Sequence, residues 1–262
     1  MNDDLEENIG GACIICLDSD PPPVQMGCAC RGDSGLAHVD CLAQVAEHHA
    51  GPVGLKWRVC RTCKQAFTGK VLMGLALAWR SQCALAESER GERLAAEHNL
   101  IQALIGQGNY AEAEPMLRAL HEVLVREFGA EHHNVLTNAS TLAQALAFQR
   151  KYADAEEIER EALAVQKRLL GAEHPNTLSS ANNLSLYLSN QGKYVEAERI
   201  QREVIAVQRR VLGEEDPGTL TGMNNLALSL IDQGKDSEAE RILHEVLGAI
   251  PRRYTPRSIC PI

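Results

Sequence analysis

Four short segments, Cys13-Ile-Ile-Cys16, Cys28-Ala-Cys30, His38-Val-Asp-Cys41 and Cys60-Arg-Thr-Cys63, decide the fold of the first quarter of the chain. Their eight cysteine and histidine residues are separated in turn by 2, 11, 1, 7, 2, 18 and 2 residues. Thiolate and imidazole pairs at such spacings are typical of tetrahedral zinc sites, and four pairs supply two ions. Residues 10–67 hold few large apolar side chains, so we expect two Zn²⁺ ions to provide the folding energy of this module.

A cross-brace is the arrangement that we expect for the four pairs. In a cross-brace the pairs interleave along the chain, which ties both ends of the segment together. The first zinc is then held by Cys13, Cys16, His38 and Cys41. The second is held by Cys28, Cys30, Cys60 and Cys63.

Cysteine usage and hydropathy indicate the compartment. Seven of the nine cysteines belong to the zinc set, and only Cys83 and Cys260 are left over. The acidic residues 1–7 show no apolar signal segment, so the thiols are expected to stay reduced in the cytoplasm, with the nucleus as the alternative. The longest apolar run, residues 71–79, is about half of what a membrane span needs, which predicts a soluble protein with no membrane span.

Charge argues against a nucleic-acid partner. The chain has 26 basic and 35 acidic residues, a formal net charge of −9, and no basic cluster. Phosphate contacts require stripes of Lys and Arg, so the expected partner is another protein.

A repeat of 42 residues governs the rest of the chain. Each copy carries a Gln-containing turn, then an alanine three positions after the turn, then a glutamate. A fixed period of this length predicts stacked supersecondary units, here pairs of helices in an all-α solenoid. The four turns begin at Gln107, Gln149, Gln191 and Gln233.

These patterns predict five segments. Residues 1–9 are expected to be a disordered N-terminus, and residues 10–67 the zinc module. Residues 70–90 are expected to form a capping half-repeat helix, and residues 92–250 the repeats. Residues 251–262 then form a frayed C-terminal tail beyond Pro251.

The zinc module resembles the RING-CH variant of the RING finger, found in membrane-associated RING-CH ubiquitin ligases. The features that carry the likeness are the single residue between Cys28 and Cys30, the seven before His38, and the flanking pairs Arg31-Gly32 and Cys41-Leu42. The rival is the PHD finger, which has the same ligand order and reads histone tails. PHD fingers usually place two to four residues between ligands three and four, and an aromatic residue two positions before the seventh ligand; here Trp57 stands three before Cys60.

The RING-CH resemblance implies docking of a ubiquitin-conjugating enzyme, with no catalytic residue supplied by this chain. Ile15 matches the usual apolar contact, and Lys64 is assigned the cationic contact. The chain departs from its relatives at Val45, where they often carry Trp, and at Arg61-Thr62 inside the last ligand pair. The transmembrane helices of the membrane-associated group are also absent from the sequence.

The repeats resemble the tetratricopeptide repeats (TPRs) of kinesin light chains. Residues 193–198, Lys-Tyr-Val-Glu-Ala-Glu, and residues 170–175, Leu-Gly-Ala-Glu-His-Pro, reproduce that family's core and junction. The resemblance implies that first helices line a concave groove, where asparagines hold a protein or peptide ligand. The alternative is that these asparagines only suit helix packing. The candidate groove residues are Asn99, Asn183, Asn225, Asn182 and Asn224.

Together these features predict a soluble RING-CH-type ubiquitin-protein ligase. Its zinc module recruits a ubiquitin-conjugating enzyme, and its solenoid recruits a substrate or partner protein. The alternative is a non-enzymatic zinc-binding TPR adaptor, favoured by Val45 and Arg61. Histone-tail reading is a third, more distant option.

Overall fold

The computed structural model describes residues 12–25, 36–48, 53–60, 63–85 and 90–249. The predicted disorder at residues 1–9 and the predicted tail 251–262 lie outside these ranges, as do Cys28, Cys30, Arg61 and Thr62. The chain divides into two compact units, Met1–Leu120 and His121–Ile262.

The first unit combines a small mixed module with long helices. Its two short strands pair antiparallel, with Val24 opposite Ala37. Helices follow without further sheet in the described residues. The elements are β1 (Val24–Gln25), β2 (Leu36–Ala37), α1 (Val39–His48), α2 (Val53–Lys56), α3 (Gly69–Leu85), α4 (Arg90–Gly106) and α5 (Tyr110–Phe128), which runs across the boundary between the units.

One hydrophobic core joins the cysteine-rich module to α3. Trp57 and Trp79 lie fully buried and stacked, with ring centroids 6.0 Å apart and an interplanar angle of 3°. Cys13 and Cys60 belong to the same buried cluster, which also reaches α4 at Ala96. The sequence predicted that burial alone is too small to fold residues 10–67, and the structure shows where more apolar surface comes from.

The contact between α1 and α3 is close because Gly74 has no side chain. A Cβ atom at Gly74 would clash with the side chain of Val39. α3 lies within residues 70–90, where the sequence predicts a capping half-repeat. Its packing against α4 fits that role, which stays a prediction.

The second unit is a stack of helices in which each packs against its neighbours in sequence. This arrangement confirms the predicted all-α TPR solenoid. Its helices are α6 (His133–Phe148), α7 (Tyr152–Leu170), α8 (Pro175–Asn190), α9 (Tyr194–Val211), α10 (Pro217–Asp232) and α11 (Asp236–Ala249).

The junction residues set where the first helices begin. The Nδ1 atom of His174 accepts a hydrogen bond from the backbone N–H of Asn176, and Pro175 occupies the first helical turn. His132 caps α6 in the same way, and Asp216 caps α10. The cap and the proline therefore begin α8 three residues before its first aliphatic residue, Leu178.

Charged side chains explain the repeated glutamate. Glu156 accepts hydrogen bonds from Arg160 on its own helix and from Gln191 and Lys193 of the next repeat. Although partial burial opposes the shift, these donors lower the pKa of Glu156 to about 2. Glu198 repeats the pattern one period later with Lys235, Arg202 and Gln233, and its pKa is again about 2. The Gln, Lys and Glu of the repeat therefore form one inter-repeat contact.

A buried carboxyl group lies inside the second unit. Glu159 of α7 is fully buried, and Ser140 of α6 donates a hydrogen bond to it at 3.0 Å. Burial raises the pKa of Glu159 to about 7, although hydrogen bonds from Ser180 and Ser140 partly offset the effect. The next repeat carries the neutral Gln201 at the equivalent position, 42 residues later.

We predict that Glu159 makes the second unit less stable as pH rises. Because its pKa is raised above the ordinary value, the folded state holds a proton that the unfolded state has lost, and stability falls between about pH 4.5 and pH 7. Between pH 5 and pH 8 the free energy of unfolding of the parent protein should fall by about 2–3 kcal/mol more than that of the Glu159→Gln variant. Urea unfolding followed by circular dichroism at both pH values measures this.

Glu157→Gln, at an exposed position on the same helix, is the control and should leave the pH dependence unchanged. Parallel pH profiles for Glu159→Gln and the parent protein would show that Glu159 is not the responsible group.

Candidate metal centre and partner-binding positions

The first cysteine pair sits in a tight turn built from backbone hydrogen bonds. The N–H of Leu17 donates to the carbonyl of Cys13 at 2.8 Å, and the N–H of Cys13 donates to the carbonyl of Asp18 at 2.7 Å. Leu17 adopts a left-handed backbone conformation, with φ of 65°. This turn holds the two sulfurs on the same side of the chain.

The last cysteine pair repeats the two backbone hydrogen bonds of this turn. The N–H of Lys64 donates to the carbonyl of Cys60 at 2.9 Å, and the N–H of Cys60 donates to the carbonyl of Gln65 at 2.8 Å. Lys64 is left-handed with φ of 63°, at the position equivalent to Leu17. The chain thus forms the same cysteine turn at both ends of the module.

Four donor atoms converge next to the first turn. The Sγ atoms of Cys13, Cys16 and Cys41 and a ring nitrogen of His38 all lie within 4.8 Å of one another. The Nδ1 atom of His38 lies 3.3 Å from the Sγ of Cys16 and 3.7 Å from that of Cys41. β2 ends directly before His38, and Cys41 lies in the first turn of α1, so the strand and the helix position these two side chains.

The surroundings of His38 orient its ring for metal binding. Its Nε2 atom lies 2.5 Å from the carbonyl oxygen of Pro21, which requires the proton to be on Nε2. Nδ1 then keeps its lone pair and faces the sulfurs. A ligand histidine held through its other nitrogen by a carbonyl group is a regular feature of zinc sites.

The pKa values of two thiols reflect how closely the sulfur atoms lie together. Burial opposes ionisation of Cys13, but backbone N–H groups of Cys16, His38 and Ile15 lower the pKa of this thiol to about 6. Desolvation and the neighbouring sulfurs of Cys16 and Cys13 raise the pKa of Cys41 to about 11. A divalent cation among the donors removes this repulsion, so three thiolates and one imidazole fit Zn²⁺.

The predicted second set is described only in part. Cys60 is buried and Cys63 is half-buried, with its Sγ atom 3.8 Å from Oε1 of Gln65. Their two predicted partners, Cys28 and Cys30, lie outside the described residues. The equivalence of the two cysteine turns supports a second ion, which stays a prediction.

The predicted docking residues lie on the two cysteine turns. The N–H of Ile15 donates to the Sγ of Cys13, which fixes its backbone, while its side chain remains 40% exposed. Lys64 is exposed on the second turn. The sequence analysis did not identify Leu17, which lies close to Ile15 in the chain and is 79% exposed. The feature that could have identified it is an apolar residue at the left-handed position of the turn. Val45 of α1 is also exposed.

The groove asparagines do not share one environment. Asn99 of α4 is buried, and neither polar atom of its side chain has a partner among the described residues. In the second unit, Asn183 and Asn225 are half-buried, and Asn224 is exposed. The Oδ1 atom of Asn182 accepts a hydrogen bond from Gln201, so this asparagine takes part in helix packing.

Comparison with protein families supports both parts of the chain. The RING-variant domain family matches residues 13–63. Tetratricopeptide-repeat families match residues 92–168, 177–218 and 219–248. No curated protein matches the chain significantly.

Solved structures resemble the repeats. The kinesin light chain nearly identical TPR-like repeats of Podosopora anserina are 27% identical over 69% of this chain and 85% of theirs, with a TM-score of 0.60. A second structure of those repeats gives 27% identity over 72% and 89% of the two chains, with a TM-score of 0.59. BtubC (BKLC) from P. vanneervenii shares the fold at 18% identity over 86% and 94%, with a TM-score of 0.62.

The fold, the converging donor atoms and these matches together define the class. The chain carries a RING-variant zinc-binding domain followed by kinesin-light-chain-like tetratricopeptide repeats. Within the described residues, no helix combines the length and the apolar character that crossing a membrane requires.

Metal removal is predicted to disturb the shared core of the first unit. Both tryptophans of the chain, Trp57 and Trp79, lie in the cluster that contains Cys13 and Cys60. Chelation should therefore shift tryptophan emission to longer wavelength, because the stacked rings become exposed to water. Fluorescence and circular dichroism recorded during chelator titration measure this, and most helical signal from the repeats should persist.

Cys83→Ala is the matched control, since Cys83 is buried in the same cluster but is not a predicted ligand. This variant should keep the response to chelator. Emission that stays constant after complete zinc removal would contradict a metal-dependent core.

Proposed function

We propose that the protein is a RING-CH-type ubiquitin-protein ligase whose repeats recruit the substrate or partner protein. The observation that carries this proposal is the exposed apolar pair Ile15 and Leu17 on the first cysteine turn. The hydrogen bond from the N–H of Ile15 to Cys13 links this surface directly to a metal ligand. Zinc binding would then hold the docking surface for a ubiquitin-conjugating enzyme in a fixed shape.

The site residues keep the roles that the sequence predicts. Cys13, Cys16, His38 and Cys41 bind one zinc ion, and Cys28, Cys30, Cys60 and Cys63 bind the other. The converging donor atoms support the first set, and the repeated turn at Cys60 supports the second. The zinc ions supply structure and no chemistry of the transfer itself.

The proposed reaction needs no acid, base or nucleophile from this chain. The amine of a substrate lysine attacks the thioester carbonyl of ubiquitin on the conjugating enzyme, an isopeptide bond forms, and the enzyme's cysteine thiolate leaves. The RING-variant domain accelerates this step by holding the thioester in a reactive geometry. Lys64, exposed on the second cysteine turn, is the proposed cationic contact to the bound partners.

The repeats are the proposed recruiting element. TPR domains bind proteins through faces built from repeated helices, and the second unit offers such a face on α8 and α10. Asn183 and Asn225 are the proposed contacts to the backbone of a bound segment. Reduced thiols in both predicted zinc sites favour the cytoplasm or the nucleus as the place of action.

A non-enzymatic adaptor is the second candidate. Val45 on α1 is exposed where RING-CH relatives often carry Trp, so the apolar docking surface is smaller than theirs. In an adaptor the zinc module would contribute only protein contacts. Retained partner binding without affinity for any conjugating enzyme would favour this function.

The Ile15→Ala substitution is predicted to lower autoubiquitination about tenfold or more without loss of zinc, because apolar anchors dominate interface energies. The assay uses the full chain with a panel of ubiquitin-conjugating enzymes, and zinc content is measured alongside.

Leu247→Ala is the control, because Leu247 of α11 is an exposed aliphatic residue to which no role is assigned. This variant should retain parent activity. Equal activity of Ile15→Ala and the parent would refute the docking surface, and inactivity of the parent with every conjugating enzyme would favour the adaptor.

A further inference from the structure

A cavity of about 270 Å³ lies in the second unit, lined by α8, α9 and α10. One of the differences between the two repeats lies in its wall. Ser229 of α10 stands 42 residues after Tyr187 of α8, whose aromatic ring is fully buried near Glu159. Because serine does not fill the space of a tyrosine ring, the repeat pattern leaves room between α8 and α10.

The wall of this cavity contains one unpartnered hydroxyl group. Ser229 is only 6% exposed, and its Oγ atom has no hydrogen-bond partner among the described residues. Two adjoining polar side chains, Gln201 and Ser185, are already engaged. Gln201 donates to Asn182 and to the carbonyl of Gly222, and Ser185 donates to Gln201. A buried polar atom that faces a cavity and has no hydrogen-bond partner indicates that a ligand group could supply that partner.

The rim of the cavity is apolar. Leu186 of α8 and Leu228 of α10 are 46% and 52% exposed and lie one repeat apart. They leave two aliphatic surfaces at the mouth of the cavity, on the same helices as Asn183 and Asn225. An alkyl chain that entered here would contact both leucines.

The lining of the cavity contains no cationic side chain. α8 contains no charged residue, and the only charged lining residue is Asp232 at the end of α10. Eight of the ten lining residues come from the C-terminal halves of α8 and α10, where the helix dipoles add negative potential, and Ala197 and Gln201 come from the N-terminal half of α9. The nearby Lys235 pairs instead with Glu198 at 2.7 Å, and Asp232 forms no ion pair within the described residues.

We propose that this cavity binds the side chain of a lysine or arginine from an extended segment of the partner protein. The alkyl stem packs against Leu186 and Leu228, and the cationic head donates hydrogen bonds to Asp232 and to Ser229 Oγ. The volume is below the roughly 300–1,000 Å³ of small-molecule sites, which suits a single side chain. This inference rests on the proposed function, in which the repeats recruit a partner, and it adds the chemistry of that partner.

The preceding repeat supplies two conservative variants. Ser229→Tyr introduces the residue that α8 carries as Tyr187 and fills the cavity. Asp232→Asn introduces the residue that α8 carries as Asn190 and removes only the charge. Because the fold already accepts both residues at equivalent positions, neither substitution should unfold the second unit, and circular dichroism verifies this.

The test uses fluorescent nonapeptide pools with a fixed central residue, Lys, Arg, Met or Glu, and random flanks. Retention of each pool on the immobilised full chain is measured at low and high salt. We expect the Lys and Arg pools to bind best. Asp232→Asn should weaken them about threefold to fivefold, the size of a partly exposed ion pair, and high salt should have a similar effect. Ser229→Tyr should abolish the preference.

Each other outcome overturns the inference. Equal or better binding of the Met or Glu pool would show that the cavity does not select a cation. Tighter binding of the Lys pool after removal of residues 250–262 would show that this chain's own arginine-rich segment is the occupant. Absence of binding by every pool would also refute partner recruitment by this face, whereas binding without preference would refute only the lysine or arginine specificity.

Discussion

The convergence of three sulfur atoms and one imidazole nitrogen within 4.8 Å organises the first unit. Residues 12–25 and 36–48 form little regular structure apart from a two-residue strand pair and α1. Their positions are fixed by the cysteine turn, by the Pro21 carbonyl on His38, and by the hydrophobic core shared with α3. Metal binding and burial are therefore coupled, because Cys13 is at once a ligand and a core residue.

In the second unit the two helices of each repeat differ in charge and in role. The second helices, α7 and α9, carry the charged residues and join neighbouring repeats through Glu156 and Glu198. The first helices are almost free of charge and present serine, asparagine and leucine. Against this regular background, single departures have large effects. Glu159 places a carboxyl group where Gln201 is neutral, and Ser229 opens a cavity that Tyr187 fills one repeat earlier.

The sequence predicted the features that repeat or that depend on local spacing. Ligand spacing identified the RING-variant domain, and the 42-residue period identified the TPR helices, because both patterns depend only on fixed distances along the sequence. Features that require distant residues to meet were missed. The Trp57–Trp79 stack joins the turn after α2 to α3, the burial of Asn99 depends on helix packing, and the exposure of Leu17 follows from a left-handed turn. None of these leaves a periodic signal.

Two metal ions bound by interleaved ligand pairs are proposed to hold the zinc module together, and native mass spectrometry of the full chain counts them. Two zinc ions per chain are predicted, with one retained when Cys16→Ser disrupts the first set and one when Cys60→Ser disrupts the second. A parent chain that binds a single ion, or none, would contradict the cross-brace and the docking surface built on it.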